Sequence, residues 1–327
     1  MSSSASDAVV AEKAGTGIDW PTRLALPFFL ITLVVTFAGM ALFGASQAGG
    51  LPVAIPYEVA FLAQFAPSGT AVYLAWRRGG GVAAKELLGR LVQWRVSRAW
   101  YAVALCTAPA LAALVLVGNH LFGAEAVAWA EIGTLPDILG SALAERAQSS
   151  EGAIQWIAAV ANGGPAWLTV LIFGIFAITA GGISEELGWR GHALSTLQAN
   201  YSSLTASLVI ALYWALWHIA PPPVWEMLFS QGMGAFLPAA GARLVQYLVL
   251  GIPLCILYTM IVNRCGGSVL LAVLFHATYN TTTLTLFTLG GQPYFWEMIL
   301  GFWIVGGAVV AANQTHFFSR GPDGCPV

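Results

Sequence analysis

The sequence predicts an all-α integral membrane protein, folded as a single bundle of about eight transmembrane helices with an amphipathic helix on its cytoplasmic surface. Hydrophobic residues make up 58% of the 327 positions and charged residues only 9%, whereas a soluble domain has about 45–50% and about 25%. Apolar segments of about 20 residues, the length that crosses a bilayer, recur along the chain. Helices and closed barrels are the structures that satisfy their backbone in lipid, and segments of this length favour helices.

Eight apolar segments are candidate spans, and they are numbered in chain order. They lie near residues 23–43, 56–76, 99–121, 166–194, 203–220, 243–262, 267–288 and 294–313. The fifth is short and ends at the prolines of 221–223, which cannot continue a helix. With them we expect a mobile N-terminal tail (1–22), N-terminal helices and loops of the bundle (23–160), a core that carries the chemistry (161–290), and a last helix with a C-terminal tail (291–327).

Charged residues between the spans predict the orientation. The loop between spans two and three is basic and should be cytoplasmic, whereas the next loop is acidic and should face outward. The basic residues are Arg77, Arg78, Lys85, Arg90, Arg95 and Arg98, and the acidic ones are Glu125, Glu131, Asp137, Glu145 and Glu151. We therefore expect both termini in the cytoplasm of a cell with a bacterial-type plasma membrane. Segment 82–96 is amphipathic and should lie along the cytoplasmic surface. A net charge of -2 argues against a nucleic-acid partner.

The stretch GGISEELGWRGH, residues 181–192, places ionisable groups in the fourth span. Such groups usually face the interior of a bundle and mark function. Glu186 and Arg190 are four residues apart and can pair on one helix face. Glu185 lies about 100° round the helix and is left free to act as a base. The alternative is an ion pair near a helix end, with both carboxylates in headgroup water.

Two later spans carry polar residues that could meet Glu185. His218 lies in span five, and His276 and Asn280 share one face of span seven. Glu185 and His276 fall at similar depths, roughly 15 Å from the inner face, and His218 at roughly 22 Å. His120 and His316 lie at span edges, where a histidine usually only bonds to a neighbouring helix.

Glu185, His218, His276 and Asn280 together form a set that can activate water. Glu185 with His218 could deprotonate a water molecule, while His276 and Asn280 donate to an oxyanion. Alternatively, Glu185, His218 and His276 could hold Zn²⁺ with an open position. Both readings give amide hydrolysis, and the residues do not decide between zinc and a metal-free mechanism that depends on glutamate. The helical zincin motif HExxH is absent from the sequence.

These motifs resemble the CPBP intramembrane protease family, which includes the type II CAAX prenyl endopeptidases and relatives linked to bacteriocin self-protection. The family pattern EExxxR is present at Glu185, Glu186 and Arg190, and HxxxN at His276 and Asn280. The middle motif, FxxxH, departs from the family because Trp214 replaces phenylalanine before His218. The resemblance covers roughly residues 160–290.

By this resemblance Glu185 and His218 would activate water, His276 and Asn280 would form the oxyanion site, and Glu186 and Arg190 would hold the local structure. The family is called a metalloprotease family, although a metal-free mechanism is equally open. We therefore expect an intramembrane endopeptidase whose substrate is a membrane-associated protein or peptide, with prenylated substrates among the candidates. The alternatives are a non-catalytic scaffold or bacteriocin-immunity factor of the same fold, and a proton-coupled transporter, for which the expected inverted repeats are missing.

Overall fold

The computed structural model describes residues 25–122, 165–219, 221–290 and 292–319, and these ranges contain helices and no strands. The helices are α1 (Leu26–Gln47), α2 (Tyr57–Ala63), α3 (Ala66–Gly89), α4 (Arg98–Leu121), α5 (166–198), α6 (Ser203–Trp217), α7 (Pro222–Gln231), α8 (Met233–Arg264), α9 (Val269–Gly290), α10 (Gln292–Ala312) and α11 (Gln314–Phe318). The predicted N-terminal tail and the acidic loop after α4 lie outside the described residues.

The prediction of an all-α membrane protein is confirmed, but the count of eight spans is not. Five described helical stretches are long and apolar enough to cross a membrane, and α6 is a shorter apolar helix. The five are Leu26–Gln47, Arg98–Leu121, Val170–Gln198, Met233–Arg264 and Phe295–Ala312. The remaining predicted spans have helices at their places, with different boundaries.

Three boundaries differ from the prediction, and prolines or glycines accompany each difference. The second predicted span is broken between α2 and α3, with Pro67 in the first turn of α3. Helix α3 then runs on through a kink at Gly79 and Gly80 into the predicted amphipathic segment. After the 221–223 prolines the chain forms α7, an extra helix, because proline is well suited to the first turn of a helix.

Helix α5, which carries the charged stretch, is not a regular α-helix. Its first part, Ala166–Ala177, is α-helical, but Ile178–Ile183 and Leu187–Ala193 are wound as π-helix on either side of Ser184–Glu186. Such wide turns are rare and are found frequently at functional sites. The π-helical turns therefore make this part of α5 a candidate functional segment.

Close packing around α5 holds this irregular helix in place. At Gly188 an added Cβ would lie 2.6 Å from the backbone carbonyl of Pro67, so the two backbones touch. Arg90, in the turn that follows α3, also donates to the backbone carbonyls of Gly191 (2.5 Å) and Gly267 (2.7 Å). Helix α3 and the turn that follows it thus fasten one end of α5 to the turn between α8 and α9.

Candidate active site

The predicted ion pair of α5 is present and is buried in the bundle. Nε of Arg190 lies 3.2 Å from Oε2 of Glu186, and the two side chains are 2% and 0% exposed. The alternative in which both carboxylates reach headgroup water therefore does not fit the structure, since Glu185 is only 4% exposed as well. A buried charge is tolerated when it is paired, and Glu186 and Arg190 pair with each other while the surrounding helices supply further contacts.

Helix α8 supplies the other contacts of Arg190. The guanidinium carbon lies 3.9 Å from the centre of the Tyr258 ring, and Nη2 donates to Sγ of Cys255 at 3.3 Å. A cation over an aromatic face is stabilised by the ring quadrupole, more strongly when water is excluded. Arg190 is therefore held between Glu186 on its own helix and an aromatic ring on the next.

His276 joins α9 to the same pair. Its Nδ1 lies 2.6 Å from Oε1 of Glu186, and because a carboxylate accepts, Nδ1 carries the hydrogen. Its Nε2 lies 3.9 Å from Oε1 of Glu185. Glu186 thus orients His276 and aims the second ring nitrogen at the neighbouring carboxylate.

Glu185 is fixed through one oxygen only. The indole Nε1 of Trp214 on α6 donates to Oε2 of Glu185 at 2.7 Å, while Oε1 faces His276. Gly251 on α8 makes room for this indole, since a Cβ there would lie 2.9 Å from a carbon of the Trp214 ring. The tryptophan that departs from the family pattern therefore gives Glu185 a hydrogen bond that phenylalanine cannot provide.

His218 lies beside this tryptophan, at the end of α6. Its Nδ1 lies 2.8 Å from the carbonyl oxygen of Trp214. Since a carbonyl only accepts, Nδ1 is the donor and Nε2 of the neutral ring keeps its lone pair. The His218 ring stacks on Tyr247 of α8, with ring centres 4.1 Å apart. His218 is half-buried, so the site opens on this side.

Asn280 and His276 converge on the backbone of Gly181 in α5. An added Cβ at Gly181 would lie 2.7 Å from Nε2 of His276 and 2.8 Å from Nδ2 of Asn280. Within the described residues no hydrogen bond engages the Asn280 side chain. Two nitrogens thus border one small space beside a glycine, which is the arrangement that an oxyanion site needs.

Among the described residues, the group whose ligand atoms lie within 4.8 Å of one another is Glu185, Glu186 and His276, rather than the expected Glu185, His218 and His276. This group does not fit a zinc site. Both oxygens of Glu186 are engaged, by Arg190 and by His276, and the guanidinium would repel a cation. Glu185 Oε1 and His276 Nε2 remain, and His218 offers no ligand atom within 4.8 Å of both, so the described residues supply fewer than the three close protein ligands of catalytic zinc.

Several partners of the site were missed by the sequence prediction. Cys255, Tyr258, Tyr247 and Gly251 all lie on α8, which carried no recognised motif. They recur at intervals of three or four residues, the spacing of one helix face, and this pattern was the available signal. His192 was among the charged residues noted, but its ring packs against Phe28 of α1, with centres 5.5 Å apart, and has no hydrogen bond from Nε2.

Replacing Arg190 with alanine should destabilise the fold strongly. Glu186 would remain buried without its cation, and removing one partner of a buried pair costs roughly 3–5 kcal/mol. The free energy of unfolding in detergent is the measurement. Arg264→Ala is the control, because Arg264 is exposed and its side chain bonds, among the described residues, only to Asn313, at 3.1 Å. Equal losses in the two variants would contradict a structural role for the buried pair.

Comparison with known proteins points to the same segment of the chain. Residues 166–282 match the family described as Type II CAAX prenyl endopeptidase Rce1-like. A curated protein of Methanococcus maripaludis, named CAAX prenyl protease 2, is 26% identical over 159 residues, which are 49% of this chain and 56% of that protein. The chain thus spans about half the length of the curated relative that it matches.

The matched segment begins with α5 and ends in α9, so it includes every residue of the three motifs. The resemblance predicted from those motifs is confirmed, because residues 166–282 of this integral membrane protein match the Rce1-like, type II CAAX prenyl endopeptidase family.

Proposed function

We propose that this chain is an intramembrane endopeptidase that hydrolyses a peptide bond of a membrane-associated protein or peptide. The proposal rests on one observation: two adjacent buried carboxylates differ in how many of their oxygens have partners. Glu186 has both oxygens engaged by Arg190 and His276, whereas Glu185 keeps Oε1 directed at Nε2 of His276. A carboxylate held in place with one available oxygen is suited to act as a general base.

In the proposed mechanism Glu185 and His218 activate the water molecule. Oε1 of Glu185 takes a proton from water, and Nε2 of His218, which carries the lone pair, accepts a hydrogen bond from the same water. The hydroxide attacks the carbonyl carbon of the substrate. Glu185 then returns the proton to the nitrogen of the leaving amine, which completes the hydrolysis.

His276 and Asn280 are proposed to stabilise the oxyanion that forms during the attack. Nδ2 of Asn280 is a fixed donor, and Nε2 of His276 donates when the ring is doubly protonated and paired with Glu186. Gly181 leaves space for the oxyanion beside both nitrogens. Burial of the site strengthens these interactions, since water is excluded from the inner side.

The substrate class is proposed from the curated relative. Its name, CAAX prenyl protease 2, supports a prenylated protein or peptide as the substrate here. We also propose that both termini lie in the cytoplasm of a cell with a bacterial-type plasma membrane, as the basic loop before α4 indicates. A metal-free mechanism is proposed because Glu186 is engaged by Arg190 and His276, and His218 lies outside the close group that Glu185 forms with His276.

The first test replaces Glu185 with glutamine. Wild type and variant, purified in detergent, are incubated with farnesylated and unprenylated peptides ending in Cys-aliphatic-aliphatic-X, and mass spectrometry locates the cleaved bond. Loss of the general base should reduce kcat by roughly 10²–10⁴. Glu86→Gln, at an exposed position of α3, should keep full activity. Unchanged cleavage by Glu185→Gln would refute the proposed base.

The same samples test whether cleavage requires a bound metal ion. We expect cleavage to persist with a chelator and zinc to be substoichiometric by elemental analysis. Stoichiometric zinc that disappears in Glu185→Gln, together with cleavage that the chelator abolishes, would overturn the metal-free mechanism.

Trp214→Phe should separate the hydrogen bond of the indole from its packing. Phenylalanine keeps an aromatic ring beside His218 but cannot donate to Glu185, whose carboxylate would then rotate more freely. We expect kcat to fall by roughly tenfold, the effect of one hydrogen bond to a charged group, with KM little changed. Trp217→Phe is the control, because its Nε1 donates to Thr36 at 2.9 Å and not to the site. Equal effects of the two substitutions would argue against a positioning role for Trp214.

Gly181→Ala should block the oxyanion site without unfolding the helix. The new methyl group would lie within 3 Å of both His276 Nε2 and Asn280 Nδ2, while alanine is a better helix former than glycine. We expect cleavage to be lost while the protein still folds, with a moderate loss of thermal stability, because overpacking a buried site costs about 1–3 kcal/mol. In Gly174→Ala the nearest atom to the new methyl is Oγ1 of Thr281 at 3.9 Å, so activity should persist there. Full activity of Gly181→Ala would contradict the proposed oxyanion site.

A further inference from the structure

Helix α8 carries a half-buried arginine for which the proposed mechanism gives no role. Arg243 lies ten residues into the apolar helix Met233–Arg264, and none of the described carboxylates is within salt-bridge distance of it. Its hydrogen bond is to a neutral group, with Nη1 3.3 Å from Oη of Tyr247. Unpaired charges are costly in an apolar helix and usually mark a ligand or a pathway.

The position of Arg243 on α8 connects it to the active site. Successive residues on one face of α8 each contact a member of the site: Cys255 contacts Arg190, Gly251 accommodates Trp214, and Tyr247 stacks on His218. These positions are four residues apart, and Arg243 is the next in the row. Arg243 therefore lies on the helix face that borders the site, beyond His218 and on the opposite side from Arg190.

The distance between Arg243 and the site suits a short piece of peptide. The guanidinium carbon lies 5.6 Å from the centre of the Tyr247 ring, and that ring lies 4.1 Å from the His218 ring. Together these contacts span at most about 10 Å, which corresponds to about three residues of extended chain. A peptide cleaved beside His218 could thus place its last residue at Arg243.

A cation at this place requires an anion, and the anion common to all peptides is the C-terminal carboxylate. Arginine binds carboxylates well because its planar donors match their geometry. We propose that Arg243 binds the C-terminal carboxylate of the substrate and thereby sets how far from its end the peptide is cut. The inference rests on the proposed endopeptidase function and adds a specificity-determining residue to it.

A lipid phosphate could offer Arg243 a similar anion. Arg243 and Arg264 are separated by about 20 residues, the length of a membrane span, so the guanidinium could instead meet headgroups. The peptide carboxylate is favoured because the row of site contacts on α8 leads directly to Arg243. A lipid would not distinguish between peptides, and this difference separates the two anions experimentally.

The test compares two forms of one farnesylated fluorescent peptide, with a free C-terminal carboxylate or with a C-terminal amide. Binding is measured in the Glu185→Gln background, where turnover is suppressed, and kcat/KM is measured with Glu185 intact. Each is determined with Arg243, with Arg243→Gln and with Arg243→Lys. The control is Arg264→Gln, the same substitution at the exposed end of α8.

We expect the protein with Arg243 to prefer the carboxylate by roughly tenfold or more, as for one charged hydrogen bond. Arg243→Gln should remove the preference, Arg243→Lys should keep part of it, and Arg264→Gln should leave it intact. A preference that survives in Arg243→Gln would overturn the inference. Equal weakening of both peptides would also overturn it and would point to a lipid phosphate or to packing.

The two measurements separate this inference from the proposed activity. Binding that depends on Arg243 and on the carboxylate, without cleavage of either peptide by the protein with Glu185, would support the subsite and contradict the endopeptidase. Cleavage without any preference for the carboxylate would support the endopeptidase and contradict the subsite at Arg243. If neither the protein with Arg243 nor the Arg243→Gln variant distinguishes the two peptides in either measurement, the inference is wrong.

Discussion

The packing of the core depends on the ion pair between Glu186 and Arg190, which is buried away from water. Neither charge can be left alone in an apolar bundle without a large cost in free energy. The pair therefore binds His276 from α9 and Tyr258 and Cys255 from α8. Three helices are fixed relative to one another by this requirement, and the geometry of the proposed reaction follows from it.

The same network gives two neighbouring glutamates different surroundings. Glu186 is occupied by structural contacts, because each of its oxygens already has a partner. Glu185 is held by the Trp214 indole through one oxygen and presents the other to His276. The difference arises from what surrounds each side chain, since the two residues are chemically identical and adjacent in the chain. The buried ion pair thus both stabilises the packing of these helices and orients the groups of the proposed site.

Helix α8 organises the site although it contributes no residue of the three motifs. Its face at Cys255, Gly251 and Tyr247 contacts in turn Arg190, Trp214 and His218. Gly251 and Trp214 belong together, since the large indole fits only where the facing position has no side chain. The replacement of phenylalanine by tryptophan in the middle motif is therefore accommodated by a second residue 37 positions further along the chain.

The amino-acid sequence by itself determined the class of fold and the ion pair, and it predicted the candidate residues of the site. Composition and span length require helices in lipid, and a spacing of four residues puts Glu186 beside Arg190 and His276 beside Asn280 on their helix faces. These are local consequences of helix geometry, so they could be read without knowing how the helices pack. The break between α2 and α3 and the extra helix α7 could not be read this way, because apolar segments do not mark where a helix begins.

Only the tertiary structure decided which partners each charged group has. The sequence expected Glu185 to be free, but Trp214 from another helix binds it. In one of its two open alternatives it grouped Glu185 and His276 with His218 as metal ligands, whereas packing places Glu186 closest to them. Contacts of this kind depend on the π-helical turns of α5 and on the close approach at Gly181. Residues far apart in the chain meet according to helix packing, which is set by shape across the whole bundle rather than by local spacing.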